Sequence, residues 1–341
     1  MAVTRRTFNR ALAVSTASTI FSHRKSLGST LALQSSTVTR REINDPLAAN
    51  DLQSLRDAVG AMRRLGSNDG RSWRGQAEIH GVRGRYHKCQ HSNWFFMPWH
   101  RAYLFYFENL IRFFSRNPDF ALPYWDWSTG RGVPASFYGG TSNPLDDSTR
   151  NRRASGNFSS YDLRVFVGAV KIRERLNDSQ FRTFGGSQRA AGMLENEAHG
   201  RVHNWVSGNM ASVVSPLDPI FWLHHCNIDR LFSAWLNRSG HRPPGSGWQN
   251  QSFNDFYDEF GRSIGRGLTC GQMLDTERAL GYQYDSLVPG GGSSLFNLVD
   301  RMDTERWQRV AIIGSEETVL DRTLVYTMAV SYTHLTLPTK A

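Results

Sequence analysis

Four segments of this 341-residue chain carry apolar residues at every third or fourth position, which is the spacing of one face of an α-helix. They are residues 51–65, 97–116, 194–206 and 217–237. The stretch 128–160, between the second and third segments, is rich in glycine, serine, asparagine and arginine, and this composition predicts a long excursion on the surface. We therefore predict a mainly α-helical domain with long loops.

The N-terminal residues 1–36 have the order of regions that is typical of a twin-arginine export signal. Arg5 and Arg6 form the arginine pair, Phe8 follows, and the mildly apolar run 11–21 is far too short to span a bilayer. We predict that the twin-arginine export machinery carries the folded chain to the periplasm or the medium, without a stable membrane anchor. A basic tail with no targeting role is the alternative.

The C-terminal part changes character after the glycine-rich run at 289–294. Apolar and polar residues alternate over 295–329, and this pattern predicts the start of a small β-segment that is cut short. The last residues, 330–341, resemble a translated sequencing adapter, and we exclude them from the fold. One main domain, residues 45–288, is left between the signal and the β-segment.

The net charge of +10 is concentrated near the N-terminus. Seven Arg and Lys and no acid lie in residues 1–41, so the rest of the chain carries a net charge of only +3. Because the main domain has no basic stripe, we do not expect it to bind nucleic acid. The three cysteines, Cys89, Cys226 and Cys270, allow at most one disulfide, so the core must supply the stability.

Six histidines in two clusters are the strongest chemical signal of the chain. The clusters are His80, His91 and His100, and His199, His203 and His225. Imidazole is the commonest metal ligand in proteins, and a set of imidazoles without a carboxylate suits copper or zinc better than magnesium or calcium. Two sets of three therefore predict a pair of metal ions in one pocket.

Helix geometry distinguishes the histidines of the second cluster. His199 and His203 are four residues apart, so they share one face of the helix predicted at 194–206. His225 lies on the apolar stripe of its own helix. Its neighbour His224 is rotated by about 100° around the helix and is better placed to support a ligand than to be one.

The segments around these histidines resemble the two copper-binding motifs of the tyrosinase and polyphenol oxidase family. The first motif is matched by CQHSNWFFMPWHRAYLFYFE, and the second by HGRVHNWVSGNM followed by SPLDPIFWLHHCNIDRLFSAW. Further family landmarks are matched by FALPYWDW and LGYQYD, and the resemblance covers residues 55–285. It implies a four-helix bundle around a dicopper centre, with three histidines on each of two copper ions.

Spacing alone leaves His80 and His87 as rivals for the third ligand of the first cluster, and the family pattern selects His80, which precedes glycine in IHG. The pattern also selects His225, the second histidine of its pair, in agreement with the helix-face argument. Cys89, two residues before His91, has the spacing at which some members form a thioether with the ligand imidazole. A free buried thiol is the alternative.

Two further positions bear on catalysis through the resemblance. Glu195, four residues before His199, resembles the acidic residue that orients a water near the metals, and with His224 it is the candidate for a catalytic role beside the ligands. Many members that hydroxylate monophenols have asparagine directly after the first ligand of the second motif, where this chain has Gly200. The resemblance therefore implies oxidation of o-diphenols (catechols) to o-quinones with reduction of O₂ to water, and Gly200 counts against hydroxylation of monophenols.

Two other functions use comparable metal sites. A reversible O₂ carrier of the hemocyanin type would hold the same dicopper centre without turning over phenols. A dizinc hydrolase would usually need a carboxylate ligand, which the six histidines do not provide. The expected partners of the oxidase are a small phenolic substrate and O₂.

Overall fold

The structure, a computed structural model, describes residues 37–82 and 84–290. The α-helices of these residues are, in chain order, α1 (Ala49–Arg63), α2 (Trp73–His80), α3 (Phe96–Ser115), α4 (Ser160–Asp162), α5 (Ala169–Leu176), α6 (Phe181–Phe184), α7 (Gly200–Val206), α8 (Ile220–Leu236), α9 (Ser246–Gln249) and α10 (Thr276–Leu280). The prediction of a mainly helical fold is confirmed.

Shorter elements connect these helices. Two π-helical stretches, Leu163–Val167 and Leu194–His199, precede α5 and α7. Strand β1 (Val38–Arg40) pairs in parallel with β4 (Tyr282–Tyr284), and β2 (Gly81–Val82) pairs antiparallel with β3 (Arg85–Tyr86). Single 3₁₀ turns lie at Pro46–Ala48, Trp127–Thr129, Ala135–Phe137, Gly140–Ser142, Arg152–Ser155, Gly208–Ala211, Ser215–Leu217 and Gln272–Leu274.

The core is built around α3, which packs against both α1 and α8. The side chains of Leu104, Phe107 and Ile111 on α3 are fully buried, as the helical spacing predicts. The ring of Phe107 stacks on the indole of Trp222 in α8, with the ring centroids 3.5 Å apart. Burial of such large rings is the main source of stability at this helix pair.

Four helical segments carry five of the six histidines: α2, α3, the π-helical stretch with α7, and α8; His91 lies in the loop before α3. Of these, α2 is outside the four segments that the periodicity predicts, because its eight residues are too few to show a repeat. Its start is nevertheless encoded locally, since the hydroxyl of Ser72 accepts a hydrogen bond from the backbone N–H of Gly75 and caps the helix.

The stretch 128–160 has little regular structure, as predicted, but it is not merely a surface excursion. It buries several apolar side chains: Val133, Phe137, Leu145, Ala154 and Phe158. Its Arg150 is also buried and pairs with the fully buried Asp218 just before α8, at 2.5 Å. This part of the chain is therefore packed against the helices that carry the second histidine cluster.

The first and last described elements meet at a buried ion-pair network. The guanidinium of Arg40 in β1 contacts the carboxylates of Glu108 and Asp229 and lies 3.5 Å from the ring centroid of Tyr282 in β4. The predicted signal (1–36), β-segment (295–329) and adapter-like residues (330–341) lie outside the described residues, and so those assignments stay predictions. Within the described residues, no helix has both the length and the apolar character that crossing a membrane requires.

Candidate metal centre

Eight side chains form two compact groups of potential metal ligands. In each group the ligand atoms lie within 4.8 Å of one another; the groups are His80, Cys89, His91 and His100, and His199, His203, His224 and His225. The first group therefore contains His80 and not its rival His87, whose side chain is exposed.

The two groups adjoin each other. The rings of His100 and His225 are stacked, with centroids 4.2 Å apart, and the rings of His91 and His199 are 5.7 Å apart. Phe96 lies 4.7 Å from the rings of both His100 and His199. The six predicted imidazoles thus surround one shared space.

A π-helical stretch positions the start of the second group. The helix predicted at 194–206 is continuous, but its first half, Leu194–His199, has π geometry, and the N–H of Gly200 bonds to the carbonyl of Glu195 five residues earlier. Such local widening of a helix is frequent at functional sites. Here it leaves His199 and His203 with their rings 4.4 Å apart on one face.

Hydrogen bonds fix which nitrogen of each ring is free. The Nδ1–H of His80 donates to the carbonyl of Val213 at 2.7 Å, and that of His203 donates to the carbonyl of Met210 at 2.5 Å. The Nδ1–H of His100 donates to the carbonyl of Phe96 at 2.7 Å. A carbonyl can only accept, so Nδ1 must carry the proton, and in a neutral ring Nε2 then keeps its lone pair.

Two further rings follow the same pattern. The Nδ1–H of His199 donates to the carbonyl of Glu195 at 3.2 Å, and that of His91 donates to Oε1 of the Glu195 carboxylate at the same distance. His225 differs, because its Nδ1 is buried without a hydrogen-bond partner among the described atoms. Five of the six rings therefore have Nε2 prepared as a ligand atom.

Burial keeps most of these rings neutral. It lowers the pKa of His203 to about 4, and it lowers the pKa of His80, His100, His199 and His225 well below the usual value. The neighbouring imidazoles add to this effect, because a second positive charge so close by would repel the first. Neutral imidazole is the form that binds a metal ion.

The spacing of the free nitrogens fits metal coordination. The Nε2 atoms of His80 and His91 are 3.3 Å apart, and so are those of His203 and His225. Nitrogen ligands at about 2.0–2.1 Å in a tetrahedral arrangement would be separated by about 3.3–3.4 Å. In His80 and His91, whose Nδ1–H groups are both engaged, two lone pairs face each other at this distance and repel unless a cation lies between them.

His224 belongs to the second group by distance but not by its hydrogen bonds. The indole N–H of Trp127 donates to Nδ1 of His224 at 3.0 Å, and an indole can only donate. Because burial lowers the pKa of His224, the neutral ring must carry its proton on Nε2. A protonated Nε2 has no lone pair for a metal, which agrees with the prediction that His224 supports the ligands. The ring of His224 lies 5.4 Å from that of His199 and 4.9 Å from that of His203.

Cys89 belongs to the first group by distance and is a thiol in the copper-free protein. Burial raises its pKa well above the ordinary value, and Sγ lies 3.3 Å from Nε2 of His100. A thioether to His91, whose ring also lies in this group, stays a prediction.

Glu195 connects the two groups. Its Oε1 accepts hydrogen bonds from Nδ1 of His91 and from the backbone N–H of Ser92, the latter at 2.7 Å. Its Oε2 is buried and has no partner among the described atoms. The sequence indicates an acidic residue near the metals, but not that it holds His91, which comes from a separate loop.

The six predicted ligands differ in their exposure to solvent. His91 and His203 are partly exposed, whereas the other four predicted ligands are buried. The half-exposed ring of Tyr86 stacks on His91, with centroids 4.3 Å apart. Solvent therefore reaches the two groups at His91 and His203.

Comparison with known proteins agrees with this geometry. Residues 70–189 and 168–238 match the model for the common central domain of tyrosinase. A tyrosinase of Streptomyces glaucescens is 31% identical over 241 aligned positions that cover 62% of this chain and 86% of that relative. The chain belongs to the tyrosinase family. This family binds two copper ions, and the two histidine groups fit such a pair.

Other tyrosinase relatives extend beyond the matched region. A tyrosinase of Hahella sp. (strain CCB-MM4) is 30% identical over 291 aligned positions, which cover 68% of this chain but only 60% of the relative. The solved structure of latent apple tyrosinase, at 25% identity, superposes with a TM-score of 0.65 and covers 77% of this chain and 66% of the apple chain. The chain thus spans less than two thirds of either protein.

Proposed function

We propose that this member of the tyrosinase family oxidises o-diphenols to o-quinones with O₂ as the electron acceptor. Each diphenol loses two electrons and two protons, so two diphenols reduce one O₂ to two molecules of water. The Nε2 atoms of His80, His91 and His100 would hold one copper ion, and the Nε2 atoms of His199, His203 and His225 would hold the other.

The proposal rests on the tautomers and the protonation state of the imidazoles. Their Nδ1–H groups are engaged by oxygen acceptors in five of six rings, burial disfavours protonation, and no carboxylate belongs to either group. An all-imidazole pair of sites suits copper, whereas a dizinc hydrolase usually relies on a carboxylate ligand. Bound copper would supply one-electron redox chemistry and contact with O₂.

The surrounding residues would orient and deprotonate the substrate. The phenol ring would enter past the partly exposed rings of His91 and His203. The unpartnered Oε2 of Glu195 is the acceptor available to hold a water or to take a hydroxyl proton. His224 would act as a positioning residue, since it packs against His199 and His203 and is itself oriented by Trp127.

Hydroxylation of monophenols would be weak in this chain. Gly200 directly follows the ligand His199, where it presents no side chain that could help Glu195 to deprotonate a phenol. A Cβ at Gly200 would meet its nearest neighbour, the carbonyl of Glu195, at an ordinary 3.6 Å. Packing therefore does not require glycine here, and the position can be tested by substitution.

A matched pair of substrates tests the proposal. Copper-loaded protein should oxidise 4-tert-butylcatechol rapidly and 4-tert-butylphenol slowly, after a lag, and Gly200→Asn should raise the phenol rate relative to the catechol rate. Copper uptake without catechol turnover would instead support a reversible O₂ carrier. Two bound zinc ions and no copper would overturn the proposal, and rapid phenol hydroxylation by the parent chain would refute the role given to Gly200.

We also infer that the chain is exported through the twin-arginine route, from Arg5 and Arg6 and the short apolar run after them. Replacing both arginines by lysine should leave the protein in the cytoplasm with unchanged copper binding. Export of this variant at the parent level would contradict the inference.

A further inference from the structure

One short loop contacts a ligand of each metal group. Residues 207–214 connect α7 to the turn before α8. The carbonyl of Met210 accepts the Nδ1–H of His203 from the second group, and the carbonyl of Val213 accepts the Nδ1–H of His80 from the first. A shift of this loop would therefore change the orientation of a ligand in both groups at once.

The backbone of this loop is strained where it follows the end of α7. Ser207 has a φ of 65° and Gly208 a φ of 60°, so two consecutive residues lie in the left-handed region. A Cβ at Gly208 would lie 2.2 Å from the carbonyl oxygen of Thr149, so only glycine fits there. A positive φ is unfavourable for a non-glycine residue such as Ser207, and it persists only where other contacts hold the backbone.

Those contacts converge on Asn209. Its side-chain amide donates to Oδ2 of Asp147 at 2.7 Å, and its backbone N–H donates to the hydroxyl of Thr149 at 2.9 Å. Its carbonyl accepts from the hydroxyl of Ser212 at 2.8 Å, which closes the turn between Met210 and Val213.

The partners of Asn209 are themselves fixed to the core. The Oδ1 of Asp147 accepts both the backbone N–H and the hydroxyl of Thr149. The next residue, Arg150, is buried and forms two hydrogen bonds to the carboxylate of Asp218. The segment Asp147–Arg150 thus connects the loop to the helical core through hydrogen bonds.

We propose that Asn209, held by Asp147, is a positioning residue that fixes the ring orientation and tautomer of His80 and His203 together, and so prepares both copper sites. For catalysis this rests on the proposed function, but the positioning itself exists in the copper-free protein. Hydrogen-bond partners behind metal ligands typically change metal affinity by about 10- to 100-fold when they are removed.

A reciprocal exchange tests the contact. Asn209→Asp places two carboxylates against each other, whereas Asn209→Asp combined with Asp147→Asn restores one donor and one acceptor in reversed order. The single variant should lose Nδ1–H signals of both His80 and His203 in ¹⁵N NMR spectra of the copper-free protein. It should also bind both copper ions at least about 10-fold more weakly in competition with a chelator, and the double variant should recover both properties.

The control is Asn254→Asp, which makes the same change of charge at an exposed position outside the loop and outside residues 128–160. It should behave like the parent chain. If Asn209→Asp does not fold, Thr149→Val, which removes the hydroxyl that accepts the Asn209 N–H and donates to Asp147, should produce the same paired loss.

Three results would overturn the proposal: parent-like tautomers and copper affinities in Asn209→Asp, a loss confined to one copper site, or no recovery in the double variant. If the parent chain binds no copper, the proposed function fails. The NMR comparison on copper-free protein still decides the positioning role in that case.

Discussion

At the scale of single residues, the site depends on which nitrogen of each histidine carries the proton. His224 and His225 are adjacent, equally buried and both close to the other ligands, so distance and burial do not separate them. The hydrogen bond from Trp127 does, because it forces the proton of His224 onto Nε2. The position of His225 on the apolar face of its helix favours the same choice from the sequence alone, but it does not supply this chemical reason.

Replacing each of these two histidines by alanine should therefore give different results. His225→Ala should bind one copper instead of two and lose catechol oxidation by at least about 10³-fold, since an Nε2 ligand is gone. His224→Ala should keep two coppers, with activity reduced by about 10- to 100-fold because His199 and His203 lose a packing neighbour. Metal analysis after dialysis and catechol kinetics provide the measurement, and copper loss from His224→Ala equal to that from His225→Ala would refute the tautomer assignment.

At the scale of secondary-structure elements, buried ion pairs attach irregular segments to the helices. Asp218 accepts two hydrogen bonds from Arg150 and one from the backbone N–H of Ile220 at the start of α8. The pair thus joins the stretch 128–160 to the helix that carries His225. Breaking such a pair is costly, because the remaining charge stays buried without a partner.

Asp218→Ala should therefore lower the free energy of unfolding by about 3–5 kcal/mol. Urea unfolding of the copper-free protein measures this change. Arg262→Ala is the matched control, because the side chain of Arg262, which pairs with Asp258, is 67% exposed. Its loss should lower the free energy of unfolding by less than about 1 kcal/mol. Equal losses in the two variants would show that the Arg150–Asp218 pair does not anchor the stretch.

The elements differ in how far the sequence could predict them. Helices α1, α3 and α8 are long and regular, so their apolar repeats predict their ends to within about three residues. The short α2 and the π geometry at Leu194–His199 leave no such repeat. The contacts from Met210 and Val213 could not be predicted at all, because a backbone carbonyl accepts in the same way whatever the side chain is.

At the scale of the whole molecule, the site concentrates uncharged imidazoles in a region from which water is largely excluded. In the copper-free protein this arrangement opposes protonation, as the lowered pKa values of five of the six predicted ligands indicate. The unfolded chain, in which each histidine titrates near its usual pKa of about 6.5, has no such restriction. The difference makes stability depend on pH.

The stability of the copper-free protein should be constant above about pH 6.5 and should fall as the pH is lowered towards 4. The sign follows because the unfolded state binds protons first, and each excluded proton costs about 1.4 kcal/mol per pH unit. Burial raises the pKa of Asp51 to about 6 and also raises the pKa of Glu42, Asp218 and Asp285, so these four carboxyl groups oppose the trend. They are fewer than the six rings whose pKa burial lowers, His224 included. Urea unfolding at pH 7.5 and 5.0 measures this change in the free energy of unfolding. In His224→Asn the free energy of unfolding should depend less steeply on pH. Equal values at the two pH values in the parent chain would contradict the prediction.

In the proposed centre, six imidazoles, and neither Cys89 nor His224, hold two copper ions through Nε2. Copper analysis combined with X-ray absorption at the copper edge measures both the number of copper ions and their ligand atoms. We predict two coppers per chain, surrounded only by nitrogen or oxygen scatterers at about 2.0 Å with the signature of imidazole rings. One copper per chain, or a sulfur scatterer at about 2.3 Å, would contradict the account.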